Sequence, residues 1–424
     1  MILVIAVVTI GQTSDMVMGI LVAAFALSGG ADLDVASFGA KGDGVADDTA
    51  AFQTTLDAAS KQHVNVVARS GNYRFLGRVN VPDGVALKGS WESVPAHNGI
   101  RDPGLPKPTD GGTTFLVESG EGTEAGAFLT LNTNSTLKGV VVFYPKQSTD
   151  DVPTPYPYTI AMRGKNPAIL DVELLNPYNG IDASDNERHL IRNIQGQPLR
   201  RGVFVDSIYD IGRIENVHFN PWFSMKPKLF KWQQEHGEAF IFGRADWEYV
   251  LNTFCFGYNV GYRFIESKTG ACNGNFLGIG ADDCYASVKV EQSAPFGLLI
   301  TNGEFTAFHG PDPTMVVVSS TNSGVVRFSN CSFWGPCNQI ADVAGSGTVG
   351  FNDCTFVQWD GQKLGRAAIH AIGGSILVRG CEFREDKDDI RIEKGVRRAI
   401  VSDCLPAKKL RLICADHSVL GAPR

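Results

Sequence analysis

The C-terminal half of the chain repeats one short motif. One copy reads Val326-Arg327-Phe328-Ser329-Asn330-Cys331-Ser332-Phe333, and the next reads Val349-Gly350-Phe351-Asn352-Asp353-Cys354-Thr355-Phe356. Further copies begin at Leu298, Ile376 and Ala399. The column that starts with Gly303 and continues with four cysteines advances by 28, 23, 27 and 23 residues. Such a period is typical of solenoids, because one unit buries its apolar face only against a stacked neighbour.

Each copy predicts a strand, a corner and a second strand. Apolar residues alternate, as in strands, until an Asn, Asp or Gly and a small Cys or Gly change the phase. Stacked coils would place each column of equivalent residues about 4.8 Å from the next. One predicted column holds Asn302, Asn330 and Asp353, and another holds Cys331, Cys354, Cys381 and Cys404. The leucine ladder of a leucine-rich repeat is absent, so that class of solenoid is excluded. The pattern predicts an all-β fold, a single-stranded, right-handed parallel β-helix.

Composition narrows the classes of function. The chain has 424 residues, 43% of them hydrophobic, which is enough to bury a large core. Its net charge is −7 and no basic cluster stands out, which argues against a nucleic-acid partner. The nine cysteines are interpreted mainly as small buried packing residues, with a local Cys331–Cys337 pair as an alternative.

Residues 1–31 are interpreted as an export segment. Two apolar runs, Met1 to Ile10 and Met16 to Leu27, are shorter than the roughly 20 residues that span a bilayer. Ala24-Phe25-Ala26 has the small-x-small pattern of a cleavage site, although no Lys or Arg precedes Lys41. We therefore expect a secreted or periplasmic protein; an N-terminal strand pair within the fold is the alternative.

Residues 34–53 predict a cap on one end of the solenoid. A short strand and a glycine-rich turn lead into a helix that starts near Asp47 and Asp48 and carries Phe52 on its apolar face. This segment resembles the start of the pectate-lyase-like superfamily, which includes polygalacturonases, rhamnogalacturonases, β-1,3-glucanases and phage tailspikes. The resemblance implies a cap over residues 32–70 and one parallel β-helix catalytic domain over residues 71–424.

The stretch from Asp206 to Tyr285 departs from the repeat and mixes aromatic with charged residues, as a sugar-binding groove does. Glycoside hydrolysis needs two carboxyl groups, about 5 to 5.5 Å apart for retention or about 6.5 to 9.5 Å for inversion. Asp246 and Glu248 are spaced i, i+2, which on one strand face would separate them by about 6.6 Å. With Glu238 they form the first catalytic candidate set. The predicted substrate-binding residues are His218, Trp222, Arg244, Trp247, Tyr285 and His309.

A second candidate pair is Asp282 and Asp283. The element Gly280-Ala281-Asp282-Asp283-Cys284 resembles the Gly-Asp-Asp-Cys element of polygalacturonases, and His309 follows about one coil later, as the family's His-Gly does. Two other family positions differ: Asn259-Val260-Gly261 stands where Asn-x-Asp is expected, and Arg391-Ile392-Glu393 has Glu in place of Lys.

Three functions fit these residues. A glycosidase would use the paired carboxyl groups and needs no metal or cofactor. A polysaccharide lyase would use a basic residue and neutralise a uronate carboxylate, often with Ca²⁺. A tailspike-like or adhesin-like protein would only bind glycans. The acidic cluster favours the glycosidase. We expect a polysaccharide or oligosaccharide substrate, no nucleic acid and no membrane, and a homo-oligomer, with a trimer as one arrangement.

Overall fold

The computed structural model of the chain describes residues 30–97 and 111–421. The predicted export segment, residues 1–31, lies almost entirely outside these ranges. Thirty-six strands form one hydrogen-bonded array in which strands of successive coils pair in parallel. This arrangement is a parallel β-helix, so the fold class predicted from the repeat is confirmed.

Each complete coil contributes to three sheets, which we call the first, second and third sheet in chain order. Strands of the first sheet are Leu33–Asp34, Val66–Val67, Ala86–Lys88, Thr136–Lys138, Glu248–Leu251, Gly274–Leu277, Leu298–Thr301, Val325–Ser329 and Thr348–Asn352. Strands of the second sheet are Asp43–Asp47, Gly71–Phe75, Thr113–Val117, Val141–Phe143, Phe254–Phe256, Gly280–Cys284, Glu304–Ala307, Ser332–Phe333, Thr355–Phe356, Glu382–Phe383 and Leu405–Pro406. Strands of the third sheet are Val79–Val81, Ala127–Leu131, Tyr158–Met162, Asn179–Ser184, Arg201–Asp206, Glu238–Phe242, Val260–Phe264, Ala286–Val290, Thr314–Val318, Gln339–Val343 and Leu412–Cys414.

Longer strands bend from one sheet into the next. Three of them, Ala168–Leu174, Leu190–Gly196 and Arg213–Phe219, run from the first sheet into the second. Two others, Ile369–Arg379 and Ile390–Ser402, run from the third sheet into the first of the following coil. We number the corners by the sheet that precedes them, so the second corner joins the second sheet to the third. Gly164–Lys165 and Asn186–Glu187 form a separate two-stranded pair.

The first corner is built by a column of left-handed residues. Asn302, Asn330 and Asp353 have φ values of 56°, 52° and 52°. Asn and Asp adopt this conformation more readily than other non-glycine residues. The Asn330 amide donates to Asn302 Oδ1 at 2.8 Å, so equivalent corners of adjacent coils are hydrogen-bonded to each other. The predicted Asn/Asp column is confirmed.

The core is a stack of equivalent side chains. Phe328 and Phe351 are fully buried, with ring centroids 5.1 Å apart and planes within 7°. The cysteine column stacks in the same way, because the strands that follow Cys331, Cys354 and Cys381 pair in register. All nine cysteines are free thiols, so the alternative Cys331–Cys337 pair is wrong.

Helix α1, Thr49–Gln62, closes the N-terminal end of the solenoid, as the sequence predicts. Phe52 packs edge-on against the rings of Tyr73 and Phe75, with centroids 5.0 and 4.9 Å away. Asp48 is the N-cap residue of α1 and the Asp47 carboxylate accepts from the Thr49 N–H at 3.1 Å, as the sequence predicts, but the side chain of Asp48 does not cap the helix. Its carboxylate accepts hydrogen bonds from the backbone N–H groups of Lys41 and Gly42 instead of from α1, and so fixes the glycine-rich turn.

Most of the longer insertions lie at the second corner. The largest regular one contains helix α2, Pro227–His236, between the strands Arg213–Phe219 and Glu238–Phe242. Two 3₁₀ turns, Val35–Phe38 and His417–Val419, lie near the ends of the fold. Among the described residues, no helix combines the length and apolar character needed to cross a bilayer.

Candidate functional site

Glu238 lies at the start of its third-sheet strand, at the centre of an ion-pair network. Its Oε1 is 2.6 Å from Arg263 Nη1, and its Oε2 is 3.2 Å from Arg200 Nη1. The strand pairing explains the first contact, since Glu238–Phe242 and Val260–Phe264 are neighbours and Arg263 faces outward between two buried aromatic residues. Both carboxylate oxygens of Glu238 therefore accept from guanidinium groups.

Arg263 extends the network into the next coil. Its Nε and Nη2 lie 2.9 and 2.8 Å from Glu291 Oε1, while Lys289 Nζ lies 3.6 Å from the same oxygen. Burial lowers the pKa of the Arg263 guanidinium, but the carboxylates of Glu238 and Glu291 outweigh this effect, so its pKa is raised. One planar cation thus holds two carboxylates on the outer surface of the third sheet.

The network continues toward the N-terminal coils. Arg201 pairs in register with Glu238, and its Nη1 lies 3.1 Å from Glu124 Oε2. The same Glu124 oxygen accepts from Asn179 Nδ2 at 3.0 Å. Four cations and three carboxylates therefore share this surface. They are Arg200, Arg201, Arg263, Lys289, Glu124, Glu238 and Glu291.

Asp282 and Asp283 form a second acidic cluster at the second corner. Asp282 Oδ1 accepts from the Thr306 hydroxyl at 2.6 Å, and that hydroxyl oxygen accepts from the Asp283 N–H at 2.9 Å. Asp283 has a φ of 49°, which turns the chain from the second sheet into the third. Gln234 of α2 donates its amide to Asp283 Oδ2 at 2.9 Å.

His309 completes this cluster. Its Nε2 lies 3.1 Å from the carbonyl oxygen of Gln234, which only accepts, so Nε2 carries a proton. Its Nδ1 lies 3.5 Å from Asp283 Oδ1. The Tyr285 ring lies beside the imidazole, with centroids 6.4 Å apart. The structure therefore brings together four residues of the predicted site, Asp282, Asp283, Tyr285 and His309.

The last turn of α2 joins the two acidic clusters. Gln234 contacts Asp283 and His309, whereas the carbonyl oxygen of His236 accepts from Arg200 Nη1 at 2.6 Å. Glu238 begins the next strand only two residues after His236. Trp232, on the same helix, lies against the Tyr178 ring at 5.8 Å. The last turn of α2 thus brings acidic, basic and aromatic side chains close together.

The predicted Asp246–Glu248 dyad is wrong. Trp247 has a φ of 58°, and the strand begins only at Glu248, so the two carboxyl groups do not share a strand face. Asp246 lies at the third corner, on the opposite edge of the third sheet from the second corner. There it pairs with Arg244, whose Nη2 is 2.8 Å from Asp246 Oδ2.

Glu248 points into the interior and is fully buried. Its Oε1 lies 3.0 Å from His189 Nε2, and His189 Nδ1 lies 3.0 Å from Asn186 Oδ1. No hydrogen-bond partner for Oε2 occurs among the described residues. The side chain is therefore part of a buried polar pair and has no access to a polymer on the surface.

His218 and Trp222 belong to neither of the two acidic clusters. His218 faces outward from the second sheet, as predicted, and packs against the rings of Trp222 and Phe254 at 4.8 and 4.9 Å. Burial lowers the pKa of the His218 imidazole. The alternation of residues 212–219 predicts that Ile214, Asn216 and Phe219 face the core, which is wrong for Asn216, an exposed corner residue with a φ of 52°.

The described part of the chain contains no group of three or more His, Cys, Asp or Glu side chains arranged to hold a metal ion. The Ca²⁺ that a lyase would use thus has no ligand set of this kind among these residues.

Comparison with known proteins agrees with this architecture. Residues 33–105 match the family model described as rhamnogalacturonase A/epimerase, pectate lyase-like. The N-terminal fragment of bacteriophage phi29 gene product 12 superposes with a TM-score of 0.57 at 14% identity, covering 90% of this chain and 71% of that one. DFA-IIIase from Arthrobacter chlorophenolicus A6, in complex with GF2, superposes with a TM-score of 0.55 at 11% identity, covering 92% and 98%. A comparison with curated protein sequences finds no match.

The match of residues 33–105 to this family model confirms the resemblance drawn from residues 34–53. At these identities the structural likeness establishes the parallel β-helix fold, and the chemistry depends on the side chains that the solenoid carries.

Several residues of this site were missed by sequence reasoning. They are Glu124, Arg200, Arg201, Gln234, Lys289, Glu291 and Thr306. A weaker repeat could have located one of them, Lys289, together with Arg263. The stretches Gly202-Val203-Phe204-Val205, Gly261-Tyr262-Arg263-Phe264 and Ser287-Val288-Lys289-Val290 share a small residue followed by apolar, variable and apolar positions. All three lie in the third sheet, where Arg263 and Lys289 pair in register at the outward variable position.

Proposed function

We propose that the protein is a glycosidase that acts on an acidic polysaccharide or oligosaccharide along the outer surface of the third sheet, at its second corner. One observation carries the proposal: the last turn of α2 holds the Glu238 network and the Asp282–Asp283–His309 cluster side by side. Carboxyl groups, cations and aromatic residues then lie around the same turn of helix, which is the combination that acid-base cleavage of a glycan needs.

The proposed substrate class follows from the cations. Four basic side chains lie among three carboxylates in the Glu238 network, although the whole chain carries a net charge of −7. Guanidinium groups bind carboxylates in a planar, two-point geometry. Arg201 and Arg263 are therefore proposed to bind the carboxylate of a uronate or another acidic sugar.

We assign the two catalytic carboxyl groups to Glu238 and to the Asp282–Asp283 pair. Glu238 lies between the guanidinium groups of Arg200 and Arg263, which suits a base or nucleophile that acts as a carboxylate. Asp283, which the Gln234 amide holds in place through Oδ2, is proposed as the group that delivers a proton to the leaving oxygen. Asp246 and Glu248 have no part in this mechanism.

A lyase is the second candidate, and the same cations favour it. Binding a uronate carboxylate to arginines is also what β-elimination needs, and His309 lies in the cleft, although both of its ring nitrogens face protein groups. Pure glycan binding is the third function. The proposed place of action is outside the cell or in the periplasm, which rests on the predicted export segment alone.

The test is a screen of the purified protein against acidic and neutral polysaccharides. New reducing ends measure cleavage of either kind, and near-ultraviolet absorbance of unsaturated uronates measures elimination alone. The proposal expects reducing ends from an acidic polymer without that absorbance. If both signals appear, the protein is a lyase. If neither signal appears with any polymer, glycan binding without cleavage becomes the better interpretation. Glu235→Gln is the matched control for Glu238→Gln, because Glu235 is exposed on α2.

A further inference from the structure

The third corner carries a cluster of exposed aromatic rings on the edge of the third sheet opposite to the proposed active site. Tyr209, Trp247 and Phe296 are 54%, 59% and 70% exposed. They project from the corners of three coils within four successive turns of the solenoid. A single exposed ring is ordinary on a protein surface, but three grouped together are notable, because their burial would be favourable.

These rings border two adjoining clefts of about 380 and 330 Å³. The clefts share Arg244, Asp246, Asn273 and Phe296, so they form one continuous depression. Tyr209 and Trp247 line one side, and the other side adds polar residues such as Gln292. Aromatic rings and hydrogen-bonding groups therefore line the same depression.

The polar floor of the depression is held by its own contacts. Arg244 donates through Nε and Nη2 to the two oxygens of Asp246 at 3.1 and 2.8 Å, and its Nη1 donates to the Thr269 carbonyl oxygen at 3.0 Å. The guanidinium also lies over the Tyr209 ring, 4.8 Å from its centroid. Asp246 keeps lone pairs that Arg244 does not use, because an ionised carboxylate accepts about four hydrogen bonds.

Trp247 is fixed in an outward position. Its backbone N–H donates to Asn273 Oδ1 at 3.1 Å, and the N–H groups on either side of it, of Asp246 and Glu248, are hydrogen-bonded to Ile208 and Asn273 carbonyl oxygens. Its φ of 58° is a strained conformation for a bulky residue. These hydrogen bonds hold the backbone in the strained conformation, and in that conformation the indole is exposed to solvent.

We propose that this depression is a second, non-catalytic binding site for an oligosaccharide. Sugar rings would stack on Trp247 and Phe296, and hydroxyl groups would bind Asp246, Arg244 and Asn273. Aromatic faces combined with fixed polar groups suit a ligand whose rings have apolar faces and polar edges. The site goes beyond the proposed cleavage site and shares no residue with it.

A protein partner would also use aromatic residues and arginine at its interface. The polar lining favours a saccharide. A dry protein interface would desolvate the Arg244–Asp246 pair and the amides of Asn273 and Gln292, which costs free energy unless each group finds a new partner. Sugar hydroxyl groups supply such partners at every ring position.

The test uses the Glu238→Gln protein, so that cleavage of the ligand does not interfere. The probes are oligosaccharides prepared from cellulose, xylan, β-1,3-glucan and polygalacturonate, and titration calorimetry with tryptophan fluorescence measures binding. Trp247→Ala and Phe296→Ala in this background should each weaken binding at this site about tenfold, the effect of losing one aromatic contact. Trp334→Ala is the matched control, since Trp334 is 40% exposed and lies at the second corner.

Three results would overturn the proposal. One is that no probe binds, and another is that Trp247→Ala and Phe296→Ala bind as tightly as Trp334→Ala. The third is a light-scattering measurement in which the unsubstituted chain is an oligomer that Trp247→Ala dissociates, because the depression would then be a protein interface. A protein that binds through Trp247 but cleaves no polymer would support this site and refute the proposed glycosidase, so the two proposals fail separately.

Discussion

Gln234 donates a hydrogen bond of 2.9 Å to Asp283, and this bond links α2 to the acidic cluster at the second corner. The carbonyl oxygen of the same residue accepts from His309, so the helix fixes both side chains. Glu238 starts the strand that follows the helix. The distance between the two proposed catalytic carboxyl groups is therefore set by one turn of helix.

Gln234→Glu should lower kcat without unfolding the protein. The substitution keeps the shape of the side chain but replaces the amide donor with a carboxylate that repels Asp283. A displacement of about 1 Å in a catalytic group costs about 10²-fold in rate, and we expect kcat to fall by up to that factor while KM changes less. Glu235→Gln, on the exposed face of the same turn, is the control. Equal kcat values for the two variants would show that α2 does not position Asp283.

The buried Glu248–His189 pair should matter for stability. Removing one partner of a buried hydrogen bond leaves the other without a partner, which costs about 1–3 kcal/mol. We expect Glu248→Ala to lower the free energy of unfolding by that amount in denaturant titrations. Asp246→Asn, two residues away at the surface, should change it by less than about 0.5 kcal/mol. A small effect of Glu248→Ala would contradict the fully buried position of this side chain.

The regular half of the solenoid could be predicted from sequence, and the cleft could not. Asn330 and Cys354 belong to columns that recur in every C-terminal coil, so their neighbours followed from the period alone. Arg201 and Glu238 lie in coils of unequal length, and helix α2, which carries Gln234, is inserted between them. Which side chains meet there depends on the register of the third sheet, and local spacing does not encode that register.

Residues 246–248 show why spacing misled. The i, i+2 rule holds only inside a strand, and the positive φ of Trp247 interrupts the strand at that residue. Tryptophan rarely adopts this conformation, and no residue type marked it in advance. The Asn and Asp corners were predictable because those residues favour the left-handed region.

Phe328→Ala and Phe351→Ala should each destabilise the fold by about 3–5 kcal/mol, the usual cost of truncating a buried aromatic residue. The two rings stack in parallel within the core, so each truncation leaves a cavity that its neighbour lines. Leu405→Ala is the control, because Leu405 is exposed in the same part of the solenoid. Denaturant unfolding measures all three. A near-neutral Phe351→Ala would contradict the inward phase of its strand.

Asp389 should make stability depend on pH. Burial raises the pKa of its carboxyl group from 3.8 to about 6, with one oxygen accepting from the Arg411 N–H at 2.8 Å. Because the folded-state pKa is raised, the folded chain binds the proton more tightly, and stability falls as pH rises from 3.8 to about 6. The Asp389→Asn variant has no carboxyl group at this position, so this pH-dependent loss of stability is absent from it.

The melting temperature of Asp389→Asn relative to the unsubstituted protein should therefore increase across that pH window and stay constant above it. Asp386→Asn provides the contrast, since Lys408 and Arg411 lower the pKa of that exposed carboxyl group. A melting-temperature difference for Asp389→Asn that is the same at every pH would show that its carboxyl group titrates normally.

The central claim is that the carboxyl groups on either side of the last turn of α2 perform the chemistry. The most direct measurement is kcat for Glu238→Gln, Asp282→Asn and Asp283→Asn beside Glu235→Gln and Asp246→Asn, on the acidic polymer that the screen identifies. We predict that Glu238→Gln and at least one of the two Asn variants lose about 10²- to 10⁴-fold, the range for general acid-base groups. The two controls should turn over as the unsubstituted protein does. Unchanged turnover in Glu238→Gln, or a loss confined to Asp246→Asn, would contradict the account.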